Sequence, residues 1–153
     1  MSLTLNQIIP GLYLGSEAAT TPGYLQAYNI SHVINVTNSS PLPSPRFINR
    51  ENCIRLGEED RPETNLLQYF DSTFNFIDSA IKKGGTVLVH CQMGISRSAS
   101  IVIAYLMKKF NITYEAASNF VARSRKIINP NIGFIHQLVQ YETINNSRNA
   151  PIF

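Results

Sequence analysis

The sequence contains no tryptophan, only two cysteines and few charged side chains. Two cysteines, Cys53 and Cys91, are too few for a disulfide framework, so a reducing compartment is expected. No apolar run comes near the roughly 20 residues that a membrane-spanning helix needs. Hydrophobic residues make up 44% of the 153 residues and charged residues 15%, which excludes an intrinsically disordered chain. These observations predict a globular domain with a packed core.

Length, the N-terminal sequence and net charge indicate the number of domains, the cellular location and the type of ligand. The 153 residues predict one domain, residues 1–153. The N-terminus lacks a basic segment followed by a long apolar one, so no secretory signal is predicted. A net charge of +3 suits an anionic ligand but does not predict nucleic-acid binding. We therefore expect a cytoplasmic or nuclear protein without nucleic-acid or membrane partners, and the choice between a monomer and a weak dimer stays open.

Short apolar strands alternate with amphipathic helices along the chain. Periodicity predicts strands at 32–36, 53–56 and 86–90, and helices at 65–82, 96–109, 114–124 and after the Pro130-Asn131 pair. Alternation of this kind predicts an α/β fold with a central, mainly parallel sheet of about four to five strands and helices on both faces. Ligands of such folds bind at the carboxyl ends of the strands.

The run from 87 to 98, Val-Leu-Val-His-Cys-Gln-Met-Gly-Ile-Ser-Arg-Ser, carries the strongest functional signal. A strand, a tight loop and a helix start place backbone N–H groups around an anion. The same N–H groups and a nearby cation stabilise a thiolate at Cys91. A cation at a helix N-terminus opposes the macrodipole, so Arg97 indicates a bound anion. Because a guanidinium holds two phosphate oxygens at once, the pattern predicts a phosphate site with a nucleophilic cysteine.

Other residues within and beside the 91–97 segment, here called the cysteine loop, have supporting roles. Gly94 allows the positive φ or close backbone approach that such a loop needs. Ser98 either donates to the Cys91 sulfur or is an ordinary helix-start serine. His90 is predicted to orient the loop by hydrogen bonds, and neither a metal nor a cofactor is expected. The predicted substrate-binding residues within the loop are Gln92, Met93, Gly94, Ile95 and Ser96.

A displaced alkoxide or phenoxide needs a proton, which a carboxylic acid on a nearby loop would supply. Residues 57–64, here called the acidic loop, contain three candidates: Glu58, Glu59 and Asp60. All three would also suit a solvated surface loop. Their spacing alone does not choose among them.

Residues 90–98 fit the His-Cys-x5-Arg-Ser/Thr signature of the cysteine-dependent protein phosphatases. The chain resembles their dual-specificity branch, especially the catalytic domains of MAP-kinase phosphatases. The similarity covers roughly residues 7–145, through the segments 9–16, 33–37, 76–78, 104–107, 128–134, 137–138 and 141–142. It implies hydrolysis of phosphotyrosine and of phosphoserine or phosphothreonine in proteins, through a cysteinyl-phosphate intermediate and without cofactor or metal. Phosphorylated proteins, protein kinases among them, are the implied partners.

The resemblance also implies residue roles. The general acid of the family lies five positions before an Asn-Leu type pair, here 65–66, which assigns Asp60 and leaves Glu59 as the fallback. Arg125 matches a basic position that lines the pocket rim in some relatives. Asn35 resembles a buried strand asparagine that supports the cysteine loop from behind. Met93 departs from the polar or small residue that relatives often have.

Three other functions are alternatives to that of a protein phosphatase. A non-catalytic module that binds phosphorylated residues usually lacks the cysteine or the arginine, and both are present here. Phosphatases of phosphoinositides or of RNA 5′-phosphates tend to carry Lys or Arg inside the loop, whereas residues 92, 93, 95 and 96 are uncharged. A rhodanese-like sulfur transferase does not explain Arg97 and Ser98.

Overall fold

The computed structural model describes residues 2–151. Its regular elements are the strands β1 (Leu5–Ile9), β2 (Leu12–Gly15), β3 (His32–Asn35), β4 (Cys53–Arg55) and β5 (Val87–His90) and the helices α1 (Pro22–Ala27), α2 (Phe70–Lys82), α3 (Arg97–Phe110), α4 (Tyr114–Ser124) and α5 (Ile132–Arg148). Short 3-10 turns occupy Glu17–Thr20, Arg50–Asn52 and Leu67–Tyr69. Within this part of the chain no helix combines the length and apolarity needed to cross a membrane.

The five strands form one sheet in the order β1-β2-β5-β3-β4. Strands β2, β5, β3 and β4 run parallel, and β1 pairs antiparallel with β2. The predicted α/β class and mainly parallel sheet are therefore confirmed. The β1–β2 hairpin was not predicted; its connection turns at Gly11, which has a positive φ of 86°. Strand β5 lies at the centre, and all four of its residues are buried.

Each face of the sheet has its own apolar core, because successive strand side chains point to opposite faces. Leu88 of β5 packs with Val33 and with Leu25 of α1. Its neighbours Val87 and Val89 belong to the larger core on the other face, together with the buried face of α3. The predicted helices on both faces are thus observed, with α2 to α5 covering the larger core.

Helix ends follow the local sequence in some places and tertiary contacts in others. The Thr113 side chain accepts from the Ala116 N–H at 3.1 Å and caps α4, where the predicted helix 114–124 begins. The predicted helix 65–82 instead begins as a 3-10 turn and becomes α-helical at Phe70. The N–H groups of Leu66 and Leu67 bond to the Gln137 side chain of α5, at 2.8 and 2.9 Å. This remote cap adds to a local one, because Asn65 Oδ1 accepts from the Gln68 N–H at 3.2 Å.

Candidate active site

The cysteine loop connects the buried centre of the sheet to the most buried helix. Strand β5 ends at His90, and α3 begins at Arg97. Gly94 has a φ of 69°, and a Cβ there would lie 2.6 Å from the Gly15 carbonyl oxygen. Both properties predicted for Gly94, the positive φ and the close backbone approach, are present.

The carbonyls of the loop point outward, toward the protein. Those of Gln92 and Ile95 accept from the Glu17 and Asn129 N–H groups, at 3.1 and 2.8 Å. The remaining outward carbonyls accept from the Arg125 guanidinium and from the Ser100 side chain; they belong to Met93, Gly94 and Ser96. In a planar trans peptide the N–H points opposite to the C=O. The next N–H along the chain from each of these carbonyls therefore faces the inside of the loop.

Cys91 lies at the bottom of this ring and is 3% exposed. Its Sγ is 3.1 Å from Ser98 Oγ and accepts from the Gly94 N–H at 3.2 Å. Burial raises the pKa of the thiol, but hydrogen bonds from Ser98 and Gly94 and the charge of Arg97 outweigh it and leave the pKa below its ordinary value. The loop therefore favours a thiolate, which is the nucleophilic form of cysteine.

Arg97 extends from the first turn of α3 toward the acidic loop. It is 9% exposed, and its Nη1 donates to the Glu58 carbonyl at 2.9 Å. Its Nε is buried and has no hydrogen-bond partner among the described residues. An unpaired buried donor is costly, so the site is suited to an anionic ligand that accepts this hydrogen bond.

A cavity of about 220 Å³ lies above the sulfur. Its lining consists of the cysteine-loop residues Cys91, Gln92, Met93, Ile95, Ser96 and Arg97, with Asp60 from the acidic loop. Met93 is 60% exposed and forms part of the rim. The lining thus brings together a thiol and a guanidinium from the cysteine loop and a carboxyl group from the acidic loop.

The three acidic-loop candidates differ in their surroundings. Asp60 lines the cavity, and its Oδ1 accepts from Asn131 Nδ2 at 2.9 Å. The Glu58 carboxylate accepts from the Tyr69 hydroxyl at 2.5 Å. Glu59 is exposed and pairs with Arg61 at 3.5 Å. Of the three, Asp60 is the one that lines the cavity, and it is also the residue that the resemblance assigned as the general acid.

His90 supports the loop from below. It is fully buried, and its Nδ1 lies 3.0 Å from the Cys91 carbonyl oxygen. Because a carbonyl only accepts, this nitrogen carries the proton. Burial lowers the pKa of His90, which favours the neutral ring. His90 has the orienting contact that was predicted for it. Within residues 2–151, no cluster of three or more His, Cys, Asp or Glu is placed to hold a metal ion.

Asn35 is buried as predicted, but its side-chain hydrogen bonds are not made to the cysteine loop. Its Nδ2 donates to the Ser40 carbonyl, and its Oδ1 accepts from the N–H and hydroxyl of Thr37. The amide therefore shapes the turn after β3 and does not bond to the cysteine loop. The prediction that Asn35 supports the cysteine loop directly is therefore wrong. Asn35 ends β3, and its side chain bonds instead to the turn that follows that strand.

Arg125 also differs from its predicted place on the pocket rim. The side chain is fully buried and does not line the cavity. Its guanidinium donates to the Gly94 and Met93 carbonyls at 2.9 and 3.0 Å, and to Leu3 and Asn6 of the N-terminal segment at 2.8 Å. Because these acceptors surround the guanidinium, Arg125 holds the cysteine loop from behind and does not face a ligand.

Two positions with no predicted role connect the site. Asn131 bonds to Asp60, and Gln137 donates to the carbonyl of Thr64, the last residue of the acidic loop. The sequence predicted Asn131 only as the residue before a helix, and it gave no signal for Gln137 beyond the family similarity. Their contacts span 71 and 73 positions, a separation that periodicity does not report.

Comparison with known proteins gives a consistent result. The family model described as "Dual specificity phosphatase, catalytic domain" matches residues 12–144. A probable dual specificity protein phosphatase of Dictyostelium discoideum is 44% identical over 150 residues, which cover 97% of this chain but 37% of that protein. Dual specificity protein phosphatase 1B of Arabidopsis thaliana is 44% identical over 140 residues, 90% of this chain and 81% of that protein.

A solved structure has the same architecture. The human tyrosine phosphatase-like serine/threonine/tyrosine-interacting protein superposes with a TM-score of 0.86 at 37% identity, covering 94% of this chain and 98% of that one. That protein is named tyrosine phosphatase-like, whereas the two relatives above are named as a probable dual specificity phosphatase and a dual specificity phosphatase. Similarity of sequence and fold therefore leads to both catalytic and phosphatase-like relatives.

Proposed function

The chain belongs to the dual specificity phosphatase catalytic domain family, and from this we propose that it hydrolyses phosphotyrosine and phosphoserine or phosphothreonine in proteins. The observation that carries the proposal is the Cys91 sulfur, which has a lowered pKa and lies under a cavity that Arg97 and Asp60 also line. Nucleophile, anion-binding group and proton donor are the three parts that phosphate-ester cleavage through a covalent intermediate needs.

In the first step the Cys91 thiolate attacks the phosphorus atom in line with the leaving oxygen. The sulfur–phosphorus bond forms as the bond to the leaving oxygen breaks, and Asp60 gives that oxygen its proton. Arg97 and the inward-facing N–H groups hold the three equatorial oxygens, where the charge of the transition state resides. The buried Nε of Arg97, unpaired among residues 2–151, supplies one of these donors.

In the second step water attacks the cysteinyl phosphate. The Asp60 carboxylate takes a proton from the water, the sulfur–phosphorus bond breaks, and inorganic phosphate leaves. Ser98, 3.1 Å from the sulfur, stabilises the thiolate that departs. The enzyme returns to its starting state, with Cys91 ionised and Asp60 protonated.

Phosphorylated proteins are the substrate class that the cavity supports best. Arg97 is the only cation among the residues that line it, and the rim contributes neutral side chains such as Met93 and Gln92. A phosphoinositide carries further phosphates, and an RNA 5′-end carries adjacent backbone phosphates, so both ligands call for additional cations at the rim. Protein kinases are among the candidate substrates, and a reducing cytoplasm or nucleus would keep Cys91 reduced.

A phospho-residue binding module is the second candidate, because one similar structure is described as phosphatase-like. The presence of both Cys91 and Arg97 favours catalysis over binding alone. Turnover of a small aryl phosphate, with vanadate as inhibitor, separates the two candidates. A protein that binds phosphopeptides without releasing phosphate would be the binding module.

The test of the proposed function is a panel of phosphopeptides, a phosphoinositide and an RNA 5′-triphosphate, assayed for phosphate release. We expect release from the phosphopeptides, and none from Cys91→Ser, which should still bind them because it keeps Arg97 and the loop amides. Cys53→Ser, at a half-buried thiol outside the cavity, is the matched control and should retain turnover. Appreciable turnover by Cys91→Ser would refute the covalent mechanism, and faster release from the lipid or RNA would refute the substrate class.

A further inference from the structure

The connection between α4 and α5 touches both halves of the candidate site. The Asn129 N–H donates to the Ile95 carbonyl at 2.8 Å, and the Asn131 N–H donates to Ser96 Oγ at 2.9 Å. Both acceptors belong to the cysteine loop. From the same residue, Asn131 Nδ2 donates to Asp60 Oδ1 at 2.9 Å. Asn131 therefore joins the loop that carries the nucleophile to the loop that carries the acid.

The side chain of Asn131 has one orientation that satisfies its contacts. Its Oδ1 accepts from the Phe134 N–H at 2.9 Å and caps α5. Because the amide oxygen is committed to that cap, the amide nitrogen faces Asp60 as a donor. A donor at Asp60 Oδ1 requires this oxygen to act as an acceptor. When Asp60 is protonated, the proton is therefore directed to Oδ2.

The rest of the acidic loop is held by the same helix but through its backbone. A Cβ on Gly133 would overlap the Pro62 carbonyl, so the absence of a side chain lets the loop lie against the first turn of α5. Gln137 Nε2 donates to the Thr64 carbonyl at 2.8 Å. These two contacts fix where the loop lies. They do not orient the exposed carboxyl group of Asp60.

We propose that Asn131 is a positioning residue for the general acid, and this inference rests on the proposed function. An exposed aspartate without a fixed partner samples several rotamers, and few of them direct the acidic proton at the leaving oxygen. The Asn131 amide holds one carboxyl oxygen and leaves the other, with its proton, toward the cavity. Because Asn131 is also bonded to Ser96, it sets the acid at a fixed distance from the Cys91 sulfur.

The test is Asn131→Ser and Asn131→Asp, two variants that keep an N-cap acceptor for α5 but lose the amide donor. With phenyl phosphate, whose leaving group needs a proton, we expect kcat to fall about tenfold, the usual worth of one such hydrogen bond. With an aryl phosphate whose leaving group is stable as an anion, kcat should barely change. In the Asp60→Ala background, Asn131→Ser should cause no further loss, because the group that it positions is absent.

The control is Thr113→Ala, which removes the cap of α4 and should lower thermal stability without changing the dependence on leaving group. Equal losses for both leaving groups, or a loss that adds to that of Asp60→Ala, would show Asn131 to be merely structural and would overturn the inference while leaving the proposed function intact. A wild-type chain that hydrolyses none of the phosphate esters would overturn the proposed function, and this inference with it.

Discussion

The cysteine loop and the acidic loop face each other across one cavity but are built differently. Three of the first six residues of the cysteine loop are buried, and its carbonyls are bonded to surrounding elements. In the acidic loop no residue from 57 to 64 is buried. It is held by single contacts to other segments, such as the Glu58 carbonyl to Arg97 and Asp60 to Asn131.

This difference separates two tasks of the proposed reaction. Stabilising a thiolate and the charge of the transition state requires donors that do not reorganise. A loop whose carbonyls are bonded to the surrounding protein holds its N–H groups in this way. Delivering a proton requires a group that reaches solvent and exchanges its proton between turnovers. We therefore expect substitutions in the cysteine loop to affect all substrates alike, and those around the acidic loop to depend on the leaving group.

The largest expected effect comes from Arg97→Ala, which removes the guanidinium from the cavity. Loss of preorganised donors to the transition state should lower kcat/KM by about 10³-fold for every leaving group. Arg97→Lys should recover little, because an ammonium does not hold two oxygens at once. Arg123→Ala, at an exposed position on α4, is the control and should retain activity. A loss confined to poor leaving groups would contradict the assignment of Arg97.

Next is Arg125→Met, which tests whether that residue supports the loop or binds ligand. The change leaves buried carbonyls of Met93 and Gly94 without their donor, so the free energy of unfolding in urea should fall by about 3 kcal/mol. A fall in kcat should accompany it as the loop loosens. A rise in KM at unchanged stability would instead place Arg125 at the pocket rim.

Asp60→Ala should produce the third effect, a loss of about 10² in kcat with phenyl phosphate. The loss should shrink strongly for a leaving group that departs as a stable anion. Glu59→Ala, at an exposed neighbouring carboxylate, should change neither rate. A large loss in Glu59→Ala together with an active Asp60→Ala would move the acid to position 59.

The smallest effect is expected for Ser98→Ala, which removes the hydroxyl 3.1 Å from the sulfur. Because that hydrogen bond lowers the pKa of Cys91, the midpoint of thiol alkylation against pH should move upward. Turnover should fall about tenfold, as expected for one hydrogen bond to a charged group. Ser72→Ala, at an exposed hydroxyl on α2, is the control and should leave the midpoint unchanged. An unchanged alkylation midpoint would leave Ser98 as an ordinary helix-start serine.

The sequence predicted the α/β class, the strands β3, β4 and β5 and the helices α3 to α5, because their apolar periodicity and caps lie within short windows. It did not predict the β1–β2 hairpin, although that pairing lies within residues 5–15. It also did not predict the 3-10 start of α2, where two N–H groups bond to the distant Gln137 side chain. Arg125 shows the limit most clearly. A basic residue near a phosphate site was expected at the rim, yet four acceptors from two segments draw it behind the loop.

By itself the sequence determined the cysteine loop: a strand, Cys91, Gly94, Arg97 and a helix start specify a local anion cradle through consecutive backbone groups. The spacing of the acidic loop left three candidates, from which only the family resemblance selected Asp60. The tertiary structure places Asp60 in the lining of the cavity and shows what holds it there. Asp60 and Asn131 are separated by 71 positions, and their contact exists because α5 packs beside the acidic loop. Local propensity encodes the first relation, whereas only packing of remote segments produces the second.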